Sequence, residues 1–165
     1  MKKLNLIVCF LLVCLCLGCT KTEIEDFEKK DKPSVSGSEG EYDFDEDDVP
    51  SQVLTVEEFI QGDFGDSYVC VEGFIVGDCK ANKKNAEWEP PFSYNTAILL
   101  ADEVGETNID KVISIQLMNK DMKEIFALCD HPENYGKRAR FYGKKQKYLG
   151  IPGMKKDIWG YELMD

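Results

Sequence analysis

Hydrophobic and polar positions divide this chain into three regimes. Leu4 to Leu17 is apolar apart from Asn5 and follows Lys2 and Lys3. Residues 20–50 are polar, with scattered apolar positions that repeat at neither the helix nor the strand period. From residue 51 onwards periodic patterns return, and they predict a string of short elements.

Thr55-Val56-Glu57-Glu58 has the form of a capping box, which predicts a short helix through about Ile60 ended by Gly62. Ser67 to Asp78 reads as a long first strand. Val69, Val71 and Ile75 share one parity, and Tyr68, Cys70, Phe74 and Val76 the other, so both faces should be largely buried. Gly73 and Gly77 within it predict a bend or bulge. Residues 79–94 form a long loop containing Pro90-Pro91, and Asn95 to Ala101 a second strand. Lys111 to Leu117 alternates cleanly as a third strand, with Ile113, Ile115 and Leu117 inward and Val112, Ser114 and Gln116 outward.

Asn119 to Cys129 carries Met122, Ile125, Phe126 and Cys129 on one helical stripe, with Asp121 and Glu124 available to cap it. Pro132, Asn134 and Gly136 break the chain before a fourth strand, Arg138 to Tyr148, and a fifth, Asp157 to Leu163. The expected fold is therefore mainly β: a five-stranded OB-like barrel with one helix between strands three and four, plus a short N-terminal helix.

The leading apolar run has about fourteen residues, short of the ~20 that a membrane-spanning helix needs. A short apolar core behind two lysines reads as a secretory signal. Its end, Leu15-Cys16-Leu17-Gly18-Cys19, resembles a bacterial lipobox, with Gly18 at the small position and Cys16 where Leu is usual. The competing reading is a plain membrane anchor with incidental cysteines. The expected organisation is a lipoprotein signal peptide over 1–18, a lipid-anchored acidic tether over 19–50 and an OB-like domain over 51–165. Cys19 would be the lipidated residue, bearing acyl chains such as palmitate. Two or more chains hold a protein stably at a membrane, at ~0.8 kcal/mol per buried methylene.

Charge sharpens this division. The net charge is −11, and residues 20–50 supply −8 of it from 12 Asp/Glu and 4 Lys. Such a stretch buries too little apolar surface to offset its ordering entropy and is expected to be a disordered spacer. Glu23, Glu25 and Asp26, soon after Cys19, resemble the export signal of Bacteroidetes lipoproteins that reach the outer face of the outer membrane. The expected location is thus the cell envelope, lipid-anchored to the outer membrane and surface exposed. Residues 51–165 are only mildly acidic, which shows no global attraction for nucleic acid.

Several groups are candidates for chemistry. Cys70 and Cys79 lie ~30 Å apart if the first strand is straight, too far for a disulfide, while Cys129 with either remains open. His131 is the single histidine, and without a Cys-x-x-Cys element it offers no zinc set. As the one histidine it also limits any Ser-His-Asp set to itself, which gives nucleophilic catalysis little support. Residues 136–156 hold eight Lys/Arg and no Asp/Glu, and Arg138, Arg140, Tyr142 and Lys144 share one strand parity. A basic, aromatic strip of this kind can track a phosphate backbone; it can equally be a solvated strand face, an aggregation-blocking edge or a partner for the acidic tether. Trp88, Phe92 and Tyr94 in the long loop and Tyr148 near the loop between strands four and five flank the usual ligand groove of an OB-fold. There they can stack on sugars or bases, or simply cover the barrel end.

Three segments, GFIVGD, AILLADEVGETNIDKVISIQL and PENYGKRARFYGKKQKYLGIPGMK, resemble an uncharacterised OB-like domain family of secreted and lipid-anchored Bacteroidetes proteins. The resemblance spans about residues 66–163. It implies a fold and no activity, so no catalytic residue is carried over from it. The chain is expected to be a non-catalytic binding module without cofactor or metal, tethered to the membrane through its lipid. Its expected partner is an extracellular glycan or a protein; the alternative is single-stranded nucleic acid or another polyanion.

Overall fold

The computed structural model describes residues 50–164. The expected signal peptide, the expected lipidation site Cys19 and the expected tether as far as residue 49 lie outside the described residues.

The chain is mainly β, with eight strands among the described residues: β1 (Val53–Leu54), β2 (Tyr68–Asp78), β3 (Ala97–Ala101), β4 (Val112–Gln116), β5 (Arg138–Lys144), β6 (Gln146–Tyr148), β7 (Ile151–Met154) and β8 (Ile158–Met164). They form one open sheet in the order β6-β7-β4-β3-β2-β5-β8, with β1 added to β2. Neighbours are antiparallel except β1 with β2 and β4 with β7. Two α-helices occur among the described residues, α1 (Val56–Gln61) and α2 (Lys120–Phe126).

Local chemistry sets these bounds. Thr55 Oγ1 accepts from the Glu58 amide at 3.1 Å and the Glu58 carboxylate accepts from the Thr55 amide at 2.9 Å, completing the capping box of α1. The Asp102 carboxylate also reaches this helix start and accepts from the Val56 and Glu57 amides at 2.7 and 2.8 Å. In α2 the cap is Asn119, whose Oδ1 accepts from the Met122 amide at 2.8 Å, rather than Asp121 or Glu124. This helix stops at Phe126, short of Cys129.

Three further strands separate the observed sheet from a five-stranded expectation. Val53–Leu54 adds a two-residue pair to Cys70–Val71. The expected strand from Arg138 to Tyr148 breaks at Lys145, whose ammonium donates to the carbonyls of Ile60 and Gly62 at 2.8 and 2.6 Å. The chain then forms a small hairpin, β6 to β7, through Leu149 and Gly150, both at positive φ.

Packing follows the two parities of β2. Val69, Val71 and Ile75 join the main core with Phe59 of α1 and Met122 and Phe126 of α2. Phe126 is the hub there, 5.0 Å from the Phe141 ring and 5.5 Å from that of Tyr161. Val76, on the opposite face, joins a second cluster with Cys79, Leu99, Ala101, Val112 and Ile151. That second layer corrects the outward assignment of Val112 and Ser114, both of which are fully buried. The alternation in β4 is real, but residues 79–94 and β7 cover its outer side. Ser114 satisfies its hydroxyl by donating to the Tyr148 carbonyl at 2.9 Å.

β2 shifts register against β3 between Ile75 and Gly77, at a glycine the sequence marks for a bulge. Gly77 has a second reason to lack a side chain: a Cβ there would collide with the Glu87 carbonyl oxygen, because the following loop folds directly across the strand.

Candidate functional site

The C-terminal end of β2, at Asp78 and Cys79, organises the candidate site. Asp78 pairs with Glu87 as an isolated antiparallel bridge, with backbone bonds of 3.1 and 3.0 Å. The carboxylates then take up successive amides further along the loop. Glu87 Oε2 accepts from Ser93 at 2.7 Å, and Asp78 Oδ2 accepts from Tyr94 at 2.8 Å. The loop containing Trp88, the cis Pro90-Pro91 bond, Phe92 and Tyr94 is therefore closed by two acidic side chains.

The four aromatic candidates separate into two environments. Trp88 is half-buried and packs on the second cluster beside Leu149. Tyr94 is half-buried, with the Lys80 ammonium 5.9 Å from its ring centre. Tyr148 is half-buried; burial first, then the nearby Cys79, raises its hydroxyl above the usual tyrosine range. Phe92 turns the other way, into the main core, 5.6 Å from the Tyr135 ring. It is 8% exposed, so its role is packing. The two loops meet directly where the Lys83 amide donates to the Leu149 carbonyl at 2.9 Å.

The basic strip on β5 has the expected parity and an additional acidic component. Arg138 donates to Glu72 Oε1 at 2.9 Å and Arg140 to Glu72 Oε2 at 2.8 Å. Arg140 also lies 3.6 Å from Glu162. Arg138 stacks 4.8 Å from the Phe74 ring, and Lys144 sits 4.9 Å from that of Tyr68. Tyr142 is buried, donates to Glu162 at 2.8 Å and lies 5.0 Å from Trp159. Burial, opposed by Arg140 and reinforced by Glu162, pushes its hydroxyl well above the ordinary range. The cross-strand register explains the arrangement, since Glu72 faces Arg140 and Phe74 faces Arg138.

Sequence reasoning missed Glu72, Glu162, Asp78 and Glu87. The first two were accessible in principle: Glu72 interrupts the apolar face Tyr68-Cys70-Phe74, and an acid in such a face signals a cross-strand cation. The second two depend on a loop folding back, which periodicity does not encode.

The three cysteines among the described residues are free. Burial pushes the thiols of Cys70 and Cys79 up to about 11, while Cys129 is half-buried. His131 Nδ1 lies 3.1 Å from Glu133 in the turn after α2. Among the described residues, no group of three or more His, Cys, Asp or Glu side chains is placed to hold a metal ion.

A family model described as a domain of unknown function (DUF6359) matches residues 54–164. No curated protein and no solved structure matches the chain.

Proposed function

The chain belongs to the DUF6359 family, and on that premise we propose that it is a non-catalytic binding module, lipid-anchored at the outer membrane through Cys19 and facing outward. Its ligand is an extracellular glycan or a protein segment, taken against the half-buried faces of Trp88, Tyr94 and Tyr148. The observation that carries this reading is the Lys83–Leu149 bond, which joins the loop of Trp88 and Tyr94 to the β6–β7 turn that follows Tyr148. Aromatic side chains that keep part of their surface in water, on loops fixed at both ends, present ready stacking faces at low entropic cost.

The module is an OB-like barrel in this reading, and sheet topology supports it. β7 and β8 are separated by only residues 155–157, yet they pair with β4 and β5, on opposite sides of the β3–β2 centre. The three-residue link spans four Cα steps, about 13–14 Å when extended, and so short a reach supports a sheet curled to bring its two sides together. The Lys144 amide, on β5, donates to the Asp157 carbonyl at 3.0 Å in that link.

Polyanion binding through β5 receives less support. Glu72 and Glu162 neutralise two of the three cations on the strip, leaving one excess positive charge where backbone tracking needs several. Export as a lipoprotein of the Bacteroidetes kind rests on the lipobox and the acidic residues after it. The test is to probe the full chain against arrays of glycans and single-stranded oligonucleotides at low and high salt. Glycan stacking should survive salt; phosphate binding should weaken steeply with it.

A further inference from the structure

Asp78 is a carboxyl group in an unusual position. It is completely buried, and its Oδ1 has no hydrogen-bond partner. Its Oδ2 already accepts from the Tyr94 amide. The neighbour available to Oδ1 is another carboxyl, that of Glu87, within hydrogen-bond reach across the Asp78–Glu87 bridge. Side chains of directly opposed residues in an antiparallel pair lie on the same face, so the two groups cannot avoid one another while the bridge holds.

We propose that Asp78 and Glu87 share one proton, and that its loss opens the loop carrying Trp88 and Tyr94. With Asp78 protonated, Oδ1–H donates to the Glu87 carboxylate, and the pair carries a single negative charge while binding the Ser93 and Tyr94 amides. When that proton leaves to solvent, two carboxylates face each other with Asp78 fully desolvated. Glu87 is half-buried and can relieve the repulsion by swinging into water. In doing so it releases Ser93, four residues before β3, and frees the segment that begins at Trp88.

The surroundings favour the protonated pair. Cys79 is adjacent on the chain and Cys129, in the turn after α2, feels the Asp78 charge; both thiols are shifted upward and stay neutral. Lys80 is engaged over the Tyr94 ring and forms no ion pair with either acid. Tyr148, near Cys79, is likewise shifted toward its neutral form. Burial first, then the Glu87 carboxylate, raises the Asp78 carboxyl to about 6 against the opposing pull of the Tyr94 and, more weakly, the Ser93 amides. The loop response stands on this geometry alone; its use as control over ligand binding rests on the function proposed above.

The test is an amide-resolved NMR titration of the isotope-labelled full chain from about pH 4 to about pH 8, spanning an ordinary Asp and the raised group. The Ser93 and Tyr94 amide signals should move together with a midpoint near 6. Asp78→Asn should remove the step. Glu87→Gln, at a half-buried position, should lower the midpoint by about one unit, a tenfold loss of proton affinity. No common step, or a step that persists in Asp78→Asn, would overturn the proposal; so would an unchanged midpoint in Glu87→Gln. Failure to find a glycan or protein ligand would leave these signals unaffected and would count only against the binding function.

Discussion

Arg140 donates to Glu72 across the β5–β2 ladder at 2.8 Å, and Arg138, two positions along the same face, takes the other oxygen of that carboxylate at 2.9 Å. One acid thus holds two guanidinium groups in fixed orientations, on a strand whose sequence suggests a free cationic strip. Glu72→Gln should release both. The expected loss is about 1 kcal/mol, the upper range for partly exposed ion pairs, read as a lower midpoint in urea unfolding. The same variant should gain weak, salt-sensitive retention of oligonucleotides. An unchanged midpoint would show that the pair contributes nothing net.

Gly77→Ala probes the loop crossing. The added methyl would meet the Glu87 carbonyl oxygen, and backbone cannot give way as a flexible side chain would. Overpacking of this kind costs about 1–3 kcal/mol, and here the strain should also displace Trp88 and redden its emission. Wild-type stability with unaltered fluorescence would mean the loop does not lie across β2.

Phe126 anchors the main core through Phe141 and Tyr161. Phe126→Ala should cost about 3–5 kcal/mol, enough to leave a domain of this size marginal. Differential scanning calorimetry measures it directly. A loss below about 1 kcal/mol would place the core elsewhere.

Stability should fall as pH rises through the mildly acidic range. Folded Asp78 keeps its proton up to about 6, whereas an unfolded Asp releases it near 3.9. Between those values the folded chain binds the extra proton, so its contribution is complete below about pH 4 and lost above about pH 6. The decline is of order 3 kcal/mol, measured as the pH dependence of urea unfolding relative to Asp78→Asn. A difference curve that is flat, or that rises with pH, would contradict the raised carboxyl.

Much of this sheet is readable residue by residue, and each failure has a physical cause. The two parities of β2 part Val71 from Val76 into separate clusters as the pattern implies. The capping box at Thr55 and the stripe through Met122 and Phe126 are local signals, and they produce local structure. Val112 and Ser114 mislead because an outward position becomes interior once a distant loop covers it. The β6–β7 hairpin is hidden for another reason: Pro152 argues against a strand, yet it is tolerated on a short pairing with Lys147. The break at Lys145 depends on carbonyls more than eighty residues earlier in the chain. Of the candidate site, the aromatic residue types and loops were visible, but the direction of Phe92 and the carboxyl pair were not.

The most direct measurement is the affinity of the full chain for a glycan or protein ligand identified on arrays, compared with Trp88→Ala, Tyr94→Ala and Glu72→Gln. The account predicts binding that is nearly independent of salt, weakens at least about tenfold in the two aromatic variants while the fold is retained by circular dichroism, and is unchanged in Glu72→Gln. Binding that ignores both aromatic substitutions, or that collapses with salt and strengthens in Glu72→Gln, would contradict it.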